Sequence, residues 1–484
     1  MEETLKEKTA KGLVWGGLSN GAQQLLNLVI GIFLARMLTD AEYGMVGVLT
    51  IFSLIASSLQ ESGFTQALTN LKRATDRDFN AVFWFNVLTS IGIYAILFFC
   101  APLIAEFYHQ PDLTALARYL FLSFVISSFG IAHSAYLFRN LMVKQRAISV
   151  LIAQALSGVV GVTLVYCGYS YWGLATQTLV YCSTTMVCFW CFSRWRPTFH
   201  IDFGPIRGMF GFSSKVLITN IFQHINNNFF SVILGRFYTD AIVGQYVQAN
   251  KWCSMGHSMV NGMIIGVAQP VMTRVTDDIE RQRRVFRKLL QFTAFISFPV
   301  MLGLAVVAEP LITVTITDRW LESARIMQVL CVWGAFVPIQ SVYTQMLLSR
   351  GMSRQYMTGI ILIGLLQVGV ALAMLRWGLF AMFIAYVVVN ICWLGYWQRY
   401  AWRELRLRLR QAMADIFPLF ILTAAVMSIT WLTTQSIAND WLLLGARVAL
   451  GATLYAGAAR IFYPSIFAES VAYIKTKLLR VNKS

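Results

Sequence analysis

Charge is scarce in this sequence of 484 residues. Asp, Glu, Lys and Arg together make up 13% of the chain, whereas 57% of it is hydrophobic and the mean hydropathy is +0.61. Long polar segments are also missing, because the longest polar stretch between apolar runs is Thr273–Lys288. The composition therefore excludes a separate soluble domain and is typical of a chain that lies almost wholly within a membrane.

Signatures of enzyme and cofactor chemistry are absent as well. The sequence has no P-loop, and the predicted outer loops carry no paired carboxylates of the kind that a membrane glycosyltransferase uses. We therefore expect that ATP does not drive this chain directly and that it is not an enzyme. The eight cysteines lie in or beside apolar runs, and Cys188 and Cys191 form a C-x-x-C without a second pair or a nearby histidine. We expect no metal site and no cofactor.

The apolar runs recur along nearly the whole chain, and each is long enough to cross a bilayer as a helix. We predict an all-α integral membrane protein with about fourteen transmembrane helices, called spans 1 to 14. Met1–Lys11 is polar and no cleavage pattern follows it, so we expect no cleavable signal. The spans lie at about 12–35, 42–63, 80–105, 113–137, 147–167, 171–193, 208–234, 240–265, 289–309, 322–348, 356–375, 378–398, 413–434 and 440–460.

The net charge of +17 is distributed unevenly along the chain. If the first residues are cytoplasmic and fourteen spans alternate, nearly all Lys and Arg fall in loops on one side, including the clusters Arg274–Lys288 and Arg399–Arg410. The opposite loops hold little more than Arg36, Arg236, Arg319 and Arg376. This positive-inside pattern places both termini in the cytoplasm. The basic excess therefore indicates topology and contact with anionic membrane lipids, not binding to nucleic acid.

The sequence repeats part of itself at a spacing of 200 residues, and several of the repeated residues are polar ones inside predicted spans. The matching positions are Asn20/Asn220, Gln23/Gln223, Asn27/Asn227, Leu34/Leu234, Arg36/Arg236, Thr39/Thr239, Asp40/Asp240, Ala41/Ala241 and Gly44/Gly244. A polar stripe and a turn that keep one register indicate an internal duplication. Transporters are often built from two such halves, with the substrate site at their interface.

The repeated turn has ordinary structural explanations. Arg36 and Arg236 end spans 1 and 7, where a helix dipole favours a positive charge. Thr39 with Glu42 fits a capping box at the start of span 2. The glycines at 44 and 244 suit close packing of helices.

The loop Ser193–Arg207 contains Pro197, Gly204 and Pro205 and lies where the repeat restarts. We also predict that Thr273–Lys288 forms a basic amphipathic helix on the cytoplasmic surface. The predicted organisation is an N-terminal lobe at 1–200 with spans 1 to 6, a C-terminal lobe at 201–400 with spans 7 to 12, spans 13 and 14 at 401–463, and an amphipathic cytoplasmic tail at 464–484.

Polar side chains inside the spans mark the candidate site, because they are costly at membrane depth and usually face a cavity. Amides donate to and accept from hydroxyl groups, and lysine binds phosphate, so the set suits an anionic substrate with many hydroxyls. The candidate substrate-binding residues are Lys215, Lys251, Asn20, Gln23, Gln24, Asn27, Asn220, Gln223, Asn227 and Asn250. The candidate ion-coupling residues are Glu61, His224 and His257.

Most of these residues also have a structural explanation. The amides of spans 1 and 7 are explained by hydrogen bonds between helices. Lys215 is explained by a side chain that extends to the cytoplasmic interface. Lys251, near the midplane of span 8, has Glu61 as a candidate ion-pair partner. For the histidines, a neutral hydrogen-bonded state is the alternative to proton coupling.

Three segments carry a resemblance to a known family. LARMLTDAEYGMVGVLTIF follows span 1, LGRFYTDAIVGQYVQANKW follows span 7, and PVMTRVTDDIERQRRVFRKLL connects spans 8 and 9. They resemble the corresponding segments of the polysaccharide-transporter flippases of the MOP exporter superfamily. The resemblance runs over essentially the whole chain, and the motifs are specific to the family rather than to one substrate.

The resemblance implies two six-helix lobes in a V shape with two extra helices, and a central cavity lined by spans 1, 2, 7 and 8. It implies that polyprenyl-diphosphate-linked oligosaccharide crosses the bacterial inner membrane, for capsule, O-antigen or exopolysaccharide. Our hypothesis for the mechanism is alternating access, with the lobes rocking about Ser193–Arg207. Lys215 and Lys251 would contact the diphosphate or an acidic sugar, and the amides would contact sugars.

We expect a monomer surrounded by membrane lipids, because two internal lobes already supply pseudo-symmetry. Glycan polymerase and export machinery are candidate partners. The alternative functions are a cation-coupled multidrug exporter of the same superfamily and a membrane-embedded glycan-assembly enzyme.

Overall fold

The computed structural model describes the backbone of residues 5–61, 68, 74–140, 142–273, 275–276, 278–464 and 466–468. Within these ranges, the side chains of residues 5–20, 60–61, 208–216, 218–219, 266–267 and 269–270 lie outside the description. The regular structure of the described residues is helical throughout, because a chain in lipid must satisfy its backbone groups internally.

We number the α-helices of the described residues in chain order. They are α1 Leu5–Met37, α2 Asp40–Glu61, α3 Asp76–Tyr108, α4 Leu113–Arg139, α5 Val143–Tyr166, α6 Tyr171–Phe192, α7 Gly204–Phe237, α8 Asp240–Thr273, α9 Ile279–Val306, α10 Ala308–Ile316, α11 Leu321–Gly334, α12 Val337–Ser349, α13 Ser353–Met374, α14 Leu379–Leu405, α15 Leu409–Thr434 and α16 Asp440–Phe462. Short 3-10 turns at Asp318–Trp320 and Leu375–Trp377 complete the set.

Ten stretches of the described residues are long and apolar enough to cross a membrane. They come from α2 to α5, α9, α11 together with α12, and α13 to α16. In α1, a shorter apolar part covers Gly21–Met37. The predicted all-α membrane fold is confirmed, whereas the count of fourteen spans stays a prediction.

Two of the helices that carry the polar candidates are longer than predicted. α7 and α8 each have 34 residues, or about 51 Å at 1.5 Å per residue. The predicted spans covered only 208–234 and 240–265, whereas the helices continue through Gly and Pro residues that ordinarily favour turns. Pro205 is accommodated in the first turn of α7, where its missing N–H has no partner within the helix.

The structure corrects two other predictions. The stretch Thr273–Lys288 is not a separate amphipathic helix, because its second half, from Ile279, is the beginning of α9. The predicted span at 322–348 is divided into α11 and α12, and Pro338 stands in the first turn of α12. A proline there fits the start of a helix but not its interior.

The contacts group the chain into two compact units, Met1–Gly244 and Gln245–Ser484. In the first unit, α3 packs on α4, α4 on α6, and α5 on both α1 and α6. Here α7 packs on α2 and α3. The predicted organisation stays a prediction: lobes at 1–200 and 201–400, spans 13 and 14 at 401–463, and the tail at 464–484. The tail beyond residue 468 lies outside the described residues.

The segment Ser193–Arg207 is anchored to α3 within the first unit. The Trp195 side chain is buried in an aromatic cluster. The Asn80 side chain donates to the His200 carbonyl at 2.6 Å and accepts from the Thr198 N–H at 2.9 Å. A single buried asparagine therefore satisfies two backbone groups of this segment. The role of Ser193–Arg207 as a hinge stays a prediction.

An ion pair holds the end of the same segment. Arg77 Nε donates to Asp202 Oδ2 at 2.5 Å, and the Gly204 N–H donates to Asp202 Oδ1 at 2.8 Å. The Gly204 N–H and then the Arg77 guanidinium lower the pKa of the Asp202 carboxyl below its usual value. Asp202 therefore stays charged and keeps this contact at neutral pH.

In the second unit, α9 packs on α11 and α15, α13 packs on α14, and α16 packs on α15. One buried carboxylate joins α9 to α15. Asp415 accepts two hydrogen bonds from Arg287, at 2.6 and 2.8 Å, and one from Gln291 at 2.7 Å. The Asp415 side chain is 2% exposed and the Arg287 side chain 39%.

We expect Asp415→Ala to lower the free energy of unfolding in detergent by about 2 kcal/mol, because it removes three hydrogen bonds to a buried carboxylate while the partly exposed Arg287 guanidinium can be hydrated. An apolar replacement of both partners, Arg287→Met with Asp415→Leu, should recover most of this loss. Asp318→Ala, at an exposed turn, is the matched control. Equal unfolding free energies for the Asp415 and Asp318 variants would show that the buried pair does not stabilise the unit.

Candidate functional site

The first copy of the repeated turn, at residues 36–44, contains the residues that cap the beginning of α2. The Thr39 N–H donates to the Glu42 carboxylate at 2.6 Å, and the Glu42 N–H donates to Thr39 Oγ1 at 3.3 Å. The predicted capping box is confirmed, and it satisfies two backbone donors that the helix leaves unpaired.

Gly44 and Gly244 make reciprocal contacts. A Cβ on Gly44 would overlap the carbonyl oxygen of Asp240, and a Cβ on Gly244 would overlap the carbonyl oxygen of Asp40. Only a residue without a side chain allows two backbones to approach this closely. The expectation that these glycines permit close packing is confirmed. The two contacts are equivalent under the 200-residue repeat.

Residues at and just after the end of α3 contact the second copy of the repeated turn, at residues 236–244. Gln110 Nε2 donates to the Asp240 carboxylate, and the Arg236 guanidinium contacts the His109 ring nitrogen. The same guanidinium lies 5.3 Å from the centroid of the Phe107 ring, within cation–π distance. Arg236 therefore has structural partners, as its position at a helix end predicts.

Three amides of α1 differ in exposure. Gln23 and Asn27 are half-buried, whereas Gln24 is exposed. α1 packs on α5 through Ile30, whose side chain occupies the space that a Cβ on Gly158 would need. Gln23 precedes Ile30 by seven residues and so lies on the packed face, while Gln24 lies to one side of it.

The amides of α7 are also divided between two environments. Asn220, Gln223 and His224 are half-buried, and Asn227 is exposed. Asn228 donates to the His224 carbonyl at 3.0 Å, so this amide is used within its own helix. The contribution of the others to substrate binding stays a prediction.

A polar stripe runs along α8. Asn250, Ser254, His257 and Asn261 are spaced i, i+4, i+7, i+11, so they share one face over about 17 Å of helix. Lys251 lies beside the first of them, about 17 Å from the start of the helix. All five side chains are half-buried. We call these five residues the α8 stripe.

Buried polar atoms on this part of α8 lack protein partners. Gln248 Oε1, His257 Nδ1 and Asn261 Oδ1 make no hydrogen bond to the described residues. Buried polar atoms are rarely left this way, so three within 14 residues suit contact with water or with a ligand rich in hydroxyls. Lys251 has no carboxylate within ion-pair distance among the described side chains.

Gln245 shows what a purely structural glutamine looks like on the same helix. Its Oε1 accepts from the Ser323 N–H at 2.8 Å and from Ser323 Oγ at 2.7 Å. Its Nε2 donates to the Arg319 carbonyl at 2.9 Å. The oxygen and the nitrogen of this buried amide both have protein partners, so Gln245 joins α8 to the beginning of α11.

Sequence reasoning missed Ser254 and Asn261 of the α8 stripe. Their spacing from Asn250 and His257 was a usable signal, since the four positions follow the helical period. The surroundings of three predicted site residues on other helices are not described. The side chains of Asn20, Glu61 and Lys215 lie outside the described residues. The proposed Lys251–Glu61 ion pair is therefore untested.

The described helices and the repeated turn define a multi-pass, all-α membrane protein with an internal repeat. The family described as polysaccharide biosynthesis protein matches residues 33–325. The chain therefore belongs to this family of polysaccharide biosynthesis proteins.

Two relatives cover much or all of the chain. The lipopolysaccharide biosynthesis protein WzxC of Escherichia coli (strain K12) is 25% identical over 354 residues, which is 72% of this chain and 71% of that protein. The teichuronic acid biosynthesis protein TuaB of Bacillus subtilis (strain 168) is 23% identical over 486 residues, 99% of each chain. The similarity to TuaB extends over nearly the whole chain and so includes both repeated turns.

Solved structures share the fold. The lipid II flippase MurJ in an inward closed conformation has a TM-score of 0.74 at 13% identity and covers 94% of this chain and 99% of its own. An inward-facing multidrug resistance transporter of the MATE family, in the MOP superfamily, has a TM-score of 0.64 at 15% identity, covering 79% and 96%. This chain therefore has the same fold as these two membrane transporters.

Proposed function

We propose that this protein moves polyprenyl-diphosphate-linked oligosaccharide from the cytoplasmic to the periplasmic leaflet of the bacterial inner membrane, by alternating access. Its product would enter capsule, O-antigen or exopolysaccharide assembly. The observation that carries the proposal is the α8 stripe with Lys251, in a chain of the polysaccharide biosynthesis family. The proposal is supported by the relatives WzxC and TuaB, named for lipopolysaccharide and teichuronic acid biosynthesis, and by the shared fold of a lipid II flippase.

The chemistry of the α8 stripe suits a head group of this kind. Because Lys251 has no carboxylate within ion-pair distance among the described side chains, we propose that it contacts a diphosphate or an acidic sugar. Amide and hydroxyl side chains donate to and accept from sugar hydroxyls, so they replace water around the glycan as it crosses. The amides Gln23, Gln24 and Asn27 of α1, with Asn220, Gln223 and Asn227 of α7, are proposed to contribute further sugar contacts, as are the side chains of Asn20, Lys215 and Asn250.

The orientation follows from the loops. We propose that both termini are cytoplasmic, because the basic clusters then lie on the inside. The lipid tail would stay in the bilayer while the head group passes through protein. A monomer would suffice for this, and the glycan polymerase and export machinery would receive the product.

Purified full-length protein in liposomes tests this proposal. The probe is a polyprenyl-diphosphate-linked oligosaccharide with a fluorescent sugar, and an impermeant reductant destroys label only in the outer leaflet. We expect the protein to make the inner-leaflet label accessible, whereas protein-free liposomes should retain it. A fluorescent phosphatidylcholine should stay protected in both. Equal loss of the two labels would indicate a nonspecific scramblase, and retention of the oligosaccharide label would overturn the proposal.

We expect His257→Gln to abolish any dependence of flipping on a pH gradient while leaving substrate binding intact, because glutamine keeps a polar side chain but does not titrate. The unpartnered Nδ1 makes His257 the first of the ion-coupling candidates to replace. His224→Gln and Glu61→Gln are the parallel variants. The measurement is the liposome flipping rate with and without an imposed gradient. Unchanged gradient dependence in all three variants would remove these residues from coupling.

A further inference from the structure

A cationic cavity lies in the second unit, at the junction of α9, α14 and α15. Its volume is about 670 Å³, and it is lined by Arg283, Trp402, Arg403, Arg406, Arg408 and Gln411. The lining contains four guanidinium groups and no carboxylate. Such a concentration of positive charge suits an anionic ligand. We call it the arginine cavity.

Two buried leucines hold the loop that carries its arginines. In the sequence Leu405-Arg406-Leu407-Arg408, the leucines are buried and the arginines are exposed. The buried Gln398 donates to the Leu407 carbonyl at 2.7 Å, and this glutamine accepts from the Tyr343 hydroxyl at 2.8 Å. The loop is therefore fixed from within, so that its guanidinium groups are presented without the entropy cost of ordering a free loop.

Two of the four arginines have acidic neighbours and two do not. Arg283 pairs with Glu280 at 2.6 Å, and Arg403 lies 3.6 Å from Glu404, which also pairs with Arg350. For Arg406 and Arg408 the described residues provide no ion-pair partner. The positive charge of the cavity is therefore only partly compensated, and Arg406 and Arg408 supply most of what is left.

An apolar stripe runs away from the cavity along α15. Leu409, Met413, Phe417 and Ile421 follow one another at four-residue spacing and are 46% to 58% exposed. Because positions four apart lie on one helix face, they form a continuous apolar strip that begins beside Arg408. Trp402, 60% exposed at the cavity wall, is the residue type that membrane proteins place at the headgroup level.

We propose that the arginine cavity binds the phosphate groups of an anionic glycerophospholipid whose acyl chains lie along the apolar stripe of α15. The cationic cavity and the adjoining strip match the two parts of such a lipid, whereas a soluble anion would use the cavity alone. Arg406 and Arg408, with two partly compensated guanidinium groups beside them, favour a diphosphatidylglycerol, with two phosphates, over a phosphatidylglycerol with one. The site lies in the second unit and does not depend on the proposed transport activity.

The test is lipid binding to the full-length protein in uncharged detergent, measured by native mass spectrometry. The lipids are diphosphatidylglycerol, phosphatidylglycerol and phosphatidylcholine. We expect Arg406→Gln with Arg408→Gln to weaken diphosphatidylglycerol binding by roughly thirtyfold, since two surface arginines are lost. The lysine pair at the same positions should lose less, because it keeps the charge but not the bidentate geometry.

The matched control removes two exposed arginines outside the cavity, Arg354→Gln with Arg410→Gln. It has the same net charge as the test variant and should bind the lipid as wild type does. Heat unfolding of each variant without lipid checks that the fold is intact. Equal weakening in test and control variants would overturn the site. Binding of inorganic diphosphate with no binding of either anionic lipid would overturn the lipid assignment.

Discussion

Gly44→Ala is expected to lower the free energy of unfolding by about 2–3 kcal/mol and to remove most transport activity. The added methyl group would overlap the carbonyl oxygen of Asp240, and a backbone atom cannot move aside as a flexible side chain does. The turn at the beginning of α8, which precedes the α8 stripe, would have to shift. Because the contact is reciprocal, Gly244→Ala should have an effect of the same size.

Gly92→Ala in α3 is the matched control for these variants. A Cβ at Gly92 meets no atom within 4 Å, so the same chemical change should leave stability unchanged or raise it slightly. Heat unfolding in detergent and flipping in liposomes measure both properties. If Gly44→Ala proved no more harmful than Gly92→Ala, the reciprocal glycine contact would have no part in folding or transport.

Lys251→Gln is expected to slow flipping by roughly tenfold or more, because it removes a charge-assisted hydrogen bond to the diphosphate or acidic sugar. Lys251→Arg should retain part of the rate, since it keeps the charge and changes only its geometry. The readout is the initial flipping rate in liposomes at matched protein content. This prediction depends on the proposed function, whereas the effect of Gly44→Ala on stability does not.

Lys144→Gln is the control for Lys251→Gln, because Lys144 is an exposed lysine at the beginning of α5. It should flip substrate at the wild-type rate. If wild type, Lys251→Gln and Lys144→Gln unfold at the same temperature, a slower flipping rate of Lys251→Gln is due to a lost substrate contact and not to a weaker fold. A wild-type rate for Lys251→Gln would remove this lysine from the site and favour the structural explanation of its position.

The sequence predicted the repeated turn in detail because that turn is governed by local rules. A capping box needs only Thr39 and Glu42 at the right spacing. The glycines at 44 and 244 stood out because the 200-residue shift aligned them. The helical class followed from the length of the apolar runs, since backbone groups in lipid must be satisfied within helices.

Other features depend on contacts between distant residues and were not predictable. Asp415 meets Arg287 across 128 positions, and nothing near either residue in the sequence names its partner. The ends of α7 and α8 continue as helix beyond the predicted spans, through Gly and Pro residues that ordinarily favour turns. The break before Pro338 lies inside a run that hydropathy treats as one span.

In the candidate site, the sequence also does not predict which single side chains have protein partners. Gln245 and Gln248 are both buried glutamines on α8, and the sequence gives no means to tell them apart. Gln245 is hydrogen-bonded to Ser323 and to the Arg319 carbonyl, while Gln248 Oε1 has no partner among the described residues. Helical spacing predicts which residues share a face, but only the packed structure shows which polar atoms are left for a ligand.

The most direct test of the central claim is the leaflet in which lipid-linked oligosaccharide accumulates in cells that lack this protein. We predict that the precursor builds up facing the cytoplasm, that periplasmic glycan is lost, and that wild-type protein restores export. Normal glycan export without the protein would contradict the account. If such cells also became more sensitive to cationic drugs, the function would be multidrug export instead.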